Sequence, residues 1–333
     1  MIVVVGGSSF IGVYTALAFA SAGFEVTATG RNPRFDSFYK SQGIPYISFD
    51  LSNPADLGKL PTEGVEGVAL LAALLPGNST SDLNETDNAA DYIRVNAVGT
   101  ANLLEYCRLA GAKLITTASY ADVQCSWSAD EEIREEWPRN FKFTGDHAAY
   151  VISKNAANDL VEYYNEQHGM SNVVFRLPPV YGVGPHGSLL VNGEKRKSGI
   201  EIFIENAKAS KPITVYGDES VVRDIVYVKD VASAFVDAMR SDRAKGLYNI
   251  GSGCPSSLGE QARAIAEVFS PSDSAVPVLN DPAKQNGLTA YRFSIEKAVR
   301  DFGYDPRYAD FKSLMMDWRK EEERGVFTDL FSS

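Results

Sequence analysis

The sequence predicts an α/β fold in which a doubly wound parallel sheet is followed by a smaller C-terminal α/β lobe. Two observations predict the sheet: the apolar runs are short and do not alternate with polar residues, and helical patterns separate them. Strands of this kind are buried on both faces of a parallel sheet, and their crossover units wind right-handed. A third observation predicts the lobe, because prolines, glycines and shorter elements replace the regular alternation after residue 177.

The elements of the first half follow one another in a strand–helix order. Strand patterns occupy residues 2–5, 24–29, 46–49, 67–72, 113–117 and 173–177, and helical patterns occupy 10–22, 88–110 and 148–168. The stretch between the second and third strands is rich in turn formers and predicts no helix. We therefore expect a Rossmann-type domain over residues 1–177, with some later segments returning to it.

The second half predicts a substrate-binding lobe over residues 178–325. Its expected strands are 213–215, 225–228 and 247–250, and its expected helices are 200–209, 229–239 and 257–268. The segment before them reads as a loop with a basic cluster, Lys195, Arg196 and Lys197, that either closes over an anionic substrate or is simply solvated. The final EEERGVFTDLFSS predicts a loose terminus.

The charge balance excludes one class of partner. The chain has 333 residues, 43 of them acidic and 32 basic, and a net charge of −11. Such a surface repels a phosphate backbone, so we expect no nucleic-acid partner. A small anionic ligand must instead be held by local basic side chains and backbone N–H groups.

The cysteines and histidines predict neither a disulfide framework nor a metal site. The 3 cysteines, Cys107, Cys125 and Cys254, are far apart, which suits a reducing compartment. The 3 histidines show no zinc-binding spacing. The first strand begins at the second residue, and the longest apolar run, 68–76, is too short to span a bilayer. We expect a cytoplasmic protein without a membrane partner.

The opening MIVVVGGSSFIG has the order strand, glycine turn, helix that a phosphate-binding turn requires. Gly6 permits the turn and Gly12 permits close packing of the helix on the sheet. The N–H groups at the helix start then face a pyrophosphate, and the helix dipole assists them. Ser8 and Ser9 stand where a middle glycine is usual, and the Ser9 hydroxyl either bonds a phosphate oxygen or caps the helix.

The end of the second strand favours NADP over NAD, although NAD remains open. An acidic residue that binds the ribose diol is expected about 20 residues beyond the glycines of an NAD site. Gly30 occupies that place and Arg31 follows, and a guanidinium is suited to a 2′-phosphate. Asp50 and Leu51, after the third strand, are placed to line the adenine end of a cofactor, or Asp50 is only a turn former.

Tyr150 and Lys154 are the candidates for proton transfer. Four residues apart at the start of a helical run, they share one helix face. An adjacent ammonium is expected to lower the pKa of a phenol, so that the tyrosine exchanges a proton with a substrate hydroxyl or carbonyl. Ser119 follows a strand at the carboxyl edge of the sheet, where such folds place ligands, and its hydroxyl is positioned to share the substrate oxygen.

Together these residues resemble the extended short-chain dehydrogenase/reductase family, the branch of nucleotide-sugar epimerases, dehydratases and reductases. The resemblance covers nearly the whole chain. It rests on GGSSFIG, Asp50-Leu51, LLAALLP, YIRVNAVGTANLLEYC, TTASYADV, Tyr150-xxx-Lys154, RLPPVYGVGP, YGDESVVRDIVYVKDVASAF and GLYNIGSGCPSSLGE. The segment RDIVYVKDVA is the most specific of these, because it lies in the substrate lobe.

The resemblance implies roles for individual residues. It implies a catalytic set of Ser119, Tyr150 and Lys154. It also implies cofactor contacts from a larger group, namely Gly6, Ser9, Phe10, Ile11, Gly12, Asp50, Ala72, Ala73 and Asn96. Arg223 is similar to the arginine that pairs with the diphosphate of the substrate. Relatives commonly dimerise through the two long helices, here 88–110 and 148–168, so a homodimer is expected.

Three departures from the family pattern narrow the function. Counting back from Val123 places the family's active-site hydroxyl on Tyr120, one residue past Ser119. The acidic pair of the 4,6-dehydratases is only half present, as Ala121-Asp122, which argues against dehydration. Pro179 replaces an asparagine that many sugar-nucleotide enzymes use to contact the substrate phosphate.

The leading hypothesis is an NAD(P)-dependent epimerase or 4-keto reductase of a nucleotide-linked sugar. The Gly30-Arg31 pair leans towards NADPH and reduction, whereas the resemblance leans towards epimerisation. An alternative is an NADPH-dependent reductase of a non-sugar ketone or aldehyde, which Pro179 allows and Arg223 opposes. An alternative of another class is a non-catalytic NADP-binding regulatory protein, against which the Tyr150–Lys154 pair argues.

Overall fold

The structure is a computed structural model that describes residues 1–76, 88–145, 147–185, 189–191, 194–271, 275–285 and 287–331. The strands are β1 (Ile2–Val5), β2 (Val26–Gly30), β3 (Tyr46–Ser48), β4 (Gly67–Leu70), β5 (Lys113–Ser119), β6 (Val173–Leu177), β7 (Val180–Tyr181), β8 (Leu189–Val191), β9 (Glu194–Arg196), β10 (Ile213–Tyr216), β11 (Val222–Arg223), β12 (Val226–Tyr227), β13 (Gly246–Asn249), β14 (Ser256–Ser257) and β15 (Val278–Asp281). The α-helices are α1 (Phe10–Ser21), α2 (Arg34–Ser41), α3 (Ala89–Tyr92), α4 (Gly99–Ala110), α5 (Ala148–His168), α6 (Gly199–Lys208), α7 (Val228–Arg240), α8 (Leu258–Phe269), α9 (Glu296–Phe302), α10 (Phe311–Arg324) and α11 (Val326–Phe331).

The predicted doubly wound parallel sheet is confirmed. Within the described residues it has 7 strands in the order β13-β6-β5-β4-β1-β2-β3, all paired in parallel. Strand β1 lies between β2 and β4, so the chain winds outward from it in both directions. The crevice at the carboxyl edge beside such a reversal is where these folds bind ligands.

The first strand shows why its apolar run has no polar alternation. Its side chains alternate between two buried layers, and all four are inaccessible to solvent. Ile2 and Val4 pack with α1 and α7, whereas Val3 and Val5 pack with α4 on the opposite face. A strand covered by helices on both faces has no solvent-facing side, which is the reason for its continuous hydrophobicity.

Three predictions about local structure are wrong. Helix α2 replaces the turn-rich stretch after β2, because Phe35 and Tyr39, one turn apart, are both buried. Part of the predicted loop before residue 199 forms an antiparallel pair of strands, β8 and β9. The tail is not loose, since α11 follows α10 and Phe327 stacks on Tyr14 with ring centroids 4.2 Å apart. That stacking partner lies at the other end of the chain, beyond the reach of a local pattern.

The long helical pattern 88–110 is divided into three parts. Helix α3 passes into a π-helix, Ile93–Val98, which passes into α4. A π-helical turn inside a helix often marks a functional site, because the extra residue re-aims the side chains around it. Asn96, one of the predicted cofactor residues, lies in this π-helix.

The two halves of the chain share the main sheet. Strand β13 pairs with β6, and α7 packs against α1. The remaining strands of the second half form short pairs such as β10–β15 and β11–β14. The division at residue 177 therefore stays a prediction, with β13 and α7 as segments that return to the first half.

In the described part of the chain no helix is long and apolar enough to cross a membrane. No grouping of His, Cys, Asp and Glu suited to a metal ion occurs among the same residues.

Candidate active site

The phosphate-type turn joins β1 to α1 with a geometry that only glycine tolerates at its first position. Gly6 has φ +94°, and a Cβ there would overlap the backbone nitrogen of Ala72. A Cβ at Gly12 would overlap the Gly6 carbonyl oxygen. Ser9 is the N-cap of α1, because its Oγ accepts a hydrogen bond from Gly12 N at 3.1 Å. Of the two roles predicted for this hydroxyl, the chain itself shows the capping role.

The turn meets the segment that follows β4. Leu71 N and Ala72 N both donate to the Val5 carbonyl, at 2.7 and 2.9 Å. Asn96 holds the next residues of that segment, since its Oδ1 accepts from Leu74 N at 2.8 Å and its Nδ2 donates to Leu74 O at 3.0 Å. Ala72 and Ala73 are thereby fixed beside the turn. A dinucleotide phosphate fits this cradle, in which backbone approaches backbone without intervening side chains.

The same asparagine reaches the candidate catalytic helix. Asn96 Nδ2 donates to Ser153 Oγ at 2.9 Å, and Ser153 Oγ donates to the Tyr150 carbonyl at 2.7 Å. Ser153 is fully buried in the first turns of α5. Because one side chain bonds both the segment beside the phosphate turn and the helix that carries Tyr150 and Lys154, these parts are positioned together.

The pKa values of Tyr150 and Lys154 are set by burial. Burial raises the pKa of the Tyr150 phenol, and the nearby Tyr120 and Tyr92 add to the rise. Burial lowers the pKa of the Lys154 ammonium to about 8. The expectation that an adjacent ammonium lowers the pKa of Tyr150 is wrong for the chain alone, because removal of water from the phenol outweighs it. Tyr150 is therefore a protonated phenol at neutral pH.

Ser119 ends β5 and begins the next helical segment. Its Oγ accepts from Ala121 N at 3.2 Å and so caps the 3₁₀-helix Tyr120–Ser126. The side chain is largely buried at the carboxyl edge of the sheet. Tyr120, the next residue, stacks on Trp127 with ring centroids 5.3 Å apart and interacts electrostatically with Tyr150. Both residues to which the family's hydroxyl could correspond thus lie at this edge.

Asp122 is the acidic residue of Ala121-Asp122, and it forms a buried ion pair. Its Oδ2 accepts from Arg176 Nη2 at 3.0 Å and from Arg176 Nε at 3.2 Å, and both side chains are almost inaccessible. Arg176 also donates from Nη1 to Asn249 Oδ1 at 3.1 Å. Burial raises the pKa of Asp122, while Arg176 opposes the rise. A carboxylate held in this way is a structural anchor for the turn after β5.

Arg223 lies among aromatic rings. Its guanidinium carbon is 4.9 Å from the centroid of the Tyr291 ring, and Tyr291 lies 4.6 Å from Trp127 and 5.6 Å from Tyr120, centroid to centroid. The acid beside it in sequence, Asp224, is committed elsewhere, since its Oδ1 accepts from Ser252 N and Oγ. A cation on an aromatic face, with its neighbouring carboxylate turned to other partners, is suited to an anionic ligand.

The residues expected at the adenosine end form a separate group at β2 and β3. Arg31 is exposed, and its Nη1 lies 3.9 Å from Asp50 Oδ2. Asp50 also shapes its own turn, because its Oδ1 accepts from Ser52 N at 2.9 Å and from Ser52 Oγ at 2.7 Å. Leu51 is buried, and its side chain fills the space that a Cβ at Gly99 would need. The structure thus gives Leu51 a core-packing role.

The remaining predicted residues pack around the start of α1. Phe10 covers the loop after β7, where a Cβ at Gly184 would lie 2.9 Å from Phe10 Cε2. Ile11 is partly buried against the main core. The Ser8 side chain points at Gly30 and would overlap a Cβ there. Two residues of this region were not predicted from the sequence: Ser153, although it lies between Tyr150 and Lys154, and Tyr46, for which no local signal exists.

The basic cluster of the second half falls partly outside the described side chains. Those of Lys195 and Arg196 are not described. Lys197 forms an exposed ion pair with Glu205, with Nζ and Oε1 2.6 Å apart. The lysine is thus tied to α6, which favours the solvated-loop interpretation for this residue.

Comparison with known proteins connects the chain to nucleotide-sugar enzymes. The sequence profile described as the NAD dependent epimerase/dehydratase family matches residues 2–251. The chain is 27% identical to UDP-glucose 4-epimerase of Mycolicibacterium smegmatis over 306 residues, 91% of each protein. It is 28% identical to dTDP-glucose 4,6-dehydratase of Haemophilus influenzae over 235 residues, which is 66% of this chain and 62% of that protein.

A solved structure shows the same relationship over the whole length. UDP-glucose 4-epimerase of Thermus thermophilus, in complex with NAD, superposes with a TM-score of 0.70 at 26% identity. The superposition covers 96% of this chain and 98% of that one. The overall fold is thus shared with an enzyme whose structure was solved in complex with NAD.

Proposed function

Because the chain belongs to the NAD dependent epimerase/dehydratase family, whose members here are nucleotide-sugar enzymes, we propose that it transfers hydride at a sugar carbon of a nucleotide-linked substrate. The net reaction is epimerisation or reduction of a 4-keto sugar, with Ser119, Tyr150 and Lys154 as the catalytic set. The observation that carries the proposal is the double engagement of Asn96, which bonds Leu74 beside the phosphate turn and Ser153 beside Tyr150.

The chemistry of the chain's own residues follows from their protonation states. When bound, the nicotinamide ring supplies or accepts the hydride. Tyr150, protonated because burial raises its pKa, donates its proton to a carbonyl oxygen that is being reduced and recovers it from the hydroxyl in the reverse direction. Lys154, with a pKa of about 8, keeps a positive charge near neutral pH and stabilises the phenolate formed in that step. The Ser119 hydroxyl orients the substrate oxygen.

The turn after β5 argues against the elimination of water by this protein. A dehydratase needs a carboxylate that is free to move a proton at the turn after β5. Asp122 is the acid of that turn, and its ion pair with Arg176 commits it to structure. The ion pair thus argues against dehydration, and epimerisation and reduction are the reactions that we propose.

The cofactor that we propose is NADP, and NAD is the alternative. Which of the two is bound indicates whether the reaction is reduction or epimerisation. Gly30 provides no carboxylate for a ribose diol, and Arg31 follows it. A reductase releases its oxidised cofactor and needs fresh NADPH. An epimerase keeps its cofactor and returns the hydride to the other face of the ketone.

The substrate that we propose is anionic. Arg223 is a cation of the substrate lobe, and the carboxylate next to it in sequence, Asp224, accepts hydrogen bonds from Ser252 instead of pairing with it. A second candidate substrate is a non-sugar ketone or aldehyde. The partly exposed and stacked rings of Tyr120 and Trp127, next to Ser119, favour it, since aromatic faces bind an apolar group without a charged partner.

We also propose a homodimer in the cytoplasm. Five apolar residues are exposed along the two long helices, namely Ile93, Val98, Leu109, Ile152 and Tyr163. Such residues on adjacent helices suit a four-helix interface between two copies. The three cysteines are free, and two of them are exposed, which suits a reducing compartment. Sedimentation at micromolar concentration tests the dimer, and a monomer would contradict it.

One experiment tests the proposed function. The purified protein is denatured, any released nucleotide is identified by mass and absorbance, and the protein is titrated with NADPH and with NADH. Retained NAD near one equivalent indicates an epimerase that recycles its hydride. Preference for added NADPH, with turnover of keto-sugar nucleotides, indicates a reductase. Failure to bind either cofactor contradicts the proposal.

A further inference from the structure

The end of β2 is filled by two hydroxyl groups. A Cβ placed at Gly30 would overlap Ser8 Oγ, and it would lie 2.6 Å from Tyr46 Oη and 2.8 Å from Ser8 Cβ. The backbone at Gly30 has no positive φ, so space rather than conformation requires glycine here. Ser8 comes from the phosphate turn and Tyr46 from β3. The position where an NAD site carries its acid is thus closed by packing.

Tyr46 is held firmly in this place. It pairs in register with Ala28, so its side chain and the Gly30 position share one face of the sheet. Its ring stacks on Tyr39 with centroids 5.5 Å apart and an interplanar angle of 11°. Its Oη donates to the Asn32 carbonyl at 2.9 Å, and Tyr39 Oη donates to the Gly7 carbonyl at 2.6 Å. The two stacked tyrosines therefore connect β3, α2 and the phosphate turn.

Two arginines follow Gly30 on the exposed side of this pair, and the Asp36 carboxylate also acts on Tyr46. Arg31 follows Gly30 directly, and Arg34 begins α2 one turn later, and both are exposed. Asp50 lies 3.9 Å from Arg31 and neutralises it in part. The phenol of Tyr46 remains protonated, since burial raises its pKa. A neutral hydroxyl beside arginines does not repel a phosphate ester, whereas a carboxylate in its place would.

We infer that Tyr46, together with Ser8, is a specificity-determining residue for the cofactor: the pair fills the place of a carboxylate at Gly30 and leaves neutral hydroxyls there, where a carboxylate would repel a 2′-phosphate. This inference rests on the proposed use of NADP. The cofactor preference then depends on the tertiary contact of Ser8 and Tyr46 with Gly30, and not on Gly30 alone.

The test is a set of variants built on the three atoms that crowd Gly30. Ser8→Gly and Tyr46→Phe together remove all three of these atoms. Gly30→Asp alone is expected to lower the melting temperature and to leave the affinity for NADH no higher than in wild type. In the Ser8→Gly/Tyr46→Phe background, the same Gly30→Asp change is expected to raise the NADH-to-NADPH affinity ratio at least tenfold. Affinities are measured by equilibrium titration of cofactor fluorescence at constant ionic strength.

Single variants keep the inference testable if the triple variant does not fold. Tyr46→Phe removes the hydrogen bond that holds the Asn32 carbonyl next to Arg31, and it is expected to weaken NADPH binding three- to tenfold and to leave NADH binding unchanged. Tyr39→Phe is the matched control, because it removes the neighbouring hydroxyl from the Gly7 carbonyl and should affect both cofactors equally. The inference is overturned if Gly30→Asp alone switches the cofactor preference to NADH. It is also overturned if the triple variant has the same NADH-to-NADPH affinity ratio as Gly30→Asp, or if Tyr46→Phe weakens the binding of both cofactors equally. A wild-type protein that prefers NADH also overturns it, whereas binding of neither cofactor would contradict the proposed function itself.

Discussion

Asn96 Nδ2 lies 2.9 Å from Ser153 Oγ, and this hydrogen bond joins the π-helix before α4 to the helix that carries Tyr150 and Lys154. Asn96 is 2% exposed and Ser153 is fully buried, so water does not replace either partner. A buried donor that loses its acceptor keeps the full cost of its desolvation. The bond is therefore a sensitive point at which to separate catalytic positioning from cofactor binding.

Ser153→Ala should slow catalysis without weakening the cofactor site. The change frees α5 from Asn96 but leaves the bonds from Asn96 to Leu74. We expect kcat to fall about tenfold with unchanged cofactor affinity, whereas Asn96→Ala should lower both and destabilise the fold by about 2 kcal/mol. Steady-state kinetics, cofactor titration and thermal unfolding measure these effects. An unchanged kcat in Ser153→Ala would show that the link has no catalytic role.

Tyr150→Phe should abolish turnover while the cofactor still binds. Removal of a proton donor in contact with the reacting oxygen costs about 10²- to 10⁴-fold in rate. Tyr216→Phe, at an exposed tyrosine on β10, is the matched control and should retain full activity. Turnover that survives Tyr150→Phe undiminished would refute the assigned role, and cofactor binding without turnover in wild type would support the non-catalytic alternative.

Lys154→Met should stabilise the cofactor-free protein, and the gain should depend on pH. The pKa of Lys154 is lowered to about 8 in the folded chain from an ordinary value of 10.5. Below pH 8 the buried ammonium is charged in both states, so folding bears the whole desolvation cost, about 3 kcal/mol. Between pH 8 and pH 10.5 the folded state releases the proton first, and wild-type stability rises. The advantage of the methionine variant should therefore fade over this range in denaturant unfolding, and a constant difference would contradict it.

Arg223→Ala should raise the KM for a nucleotide sugar sharply and leave cofactor affinity unchanged. Loss of a charge-assisted contact to a buried anion costs about 2–5 kcal/mol, or roughly 30- to several thousand-fold. Lys211→Ala, an exposed cation elsewhere in the second half, serves as the control. An unchanged KM would remove the support for a nucleotide-linked substrate and favour the non-sugar carbonyl.

Loss of the Asp122 charge alone should destabilise the protein more than loss of both charges of the Asp122–Arg176 pair. Asp122→Asn leaves Arg176 buried without its counter-charge, and the expected loss is about 3–5 kcal/mol. Asp122→Leu combined with Arg176→Met should recover much of that loss, because neither variant side chain carries charge. Chemical denaturation measures both. Equal stability of Asp122→Asn and wild type would show that the carboxyl is free, and dehydratase activity would then need a direct assay.

Local sequence patterns predicted the parts of this protein that depend on neighbouring residues. The parallel sheet followed from unbroken apolar runs, the turn from Gly6 and Gly12, and the position of the Tyr150–Lys154 pair from helical spacing. These features are fixed by backbone sterics and by side-chain periodicity, which act over a few residues. Helix α2 was missed although its pattern is local, since its turn formers obscured two buried aromatic residues one turn apart.

The tertiary structure alone decided the contacts between distant segments. Tyr14 stacks on Phe327, although almost the whole chain separates them in sequence. Asp122, after β5, forms an ion pair with Arg176 on β6, and Tyr46 on β3 fills the space at Gly30 on β2. The same holds for protonation, since the spacing of Tyr150 and Lys154 predicts a lowered phenol pKa and burial reverses that direction. Burial and long-range packing depend on how all elements are assembled, so no local pattern contains them.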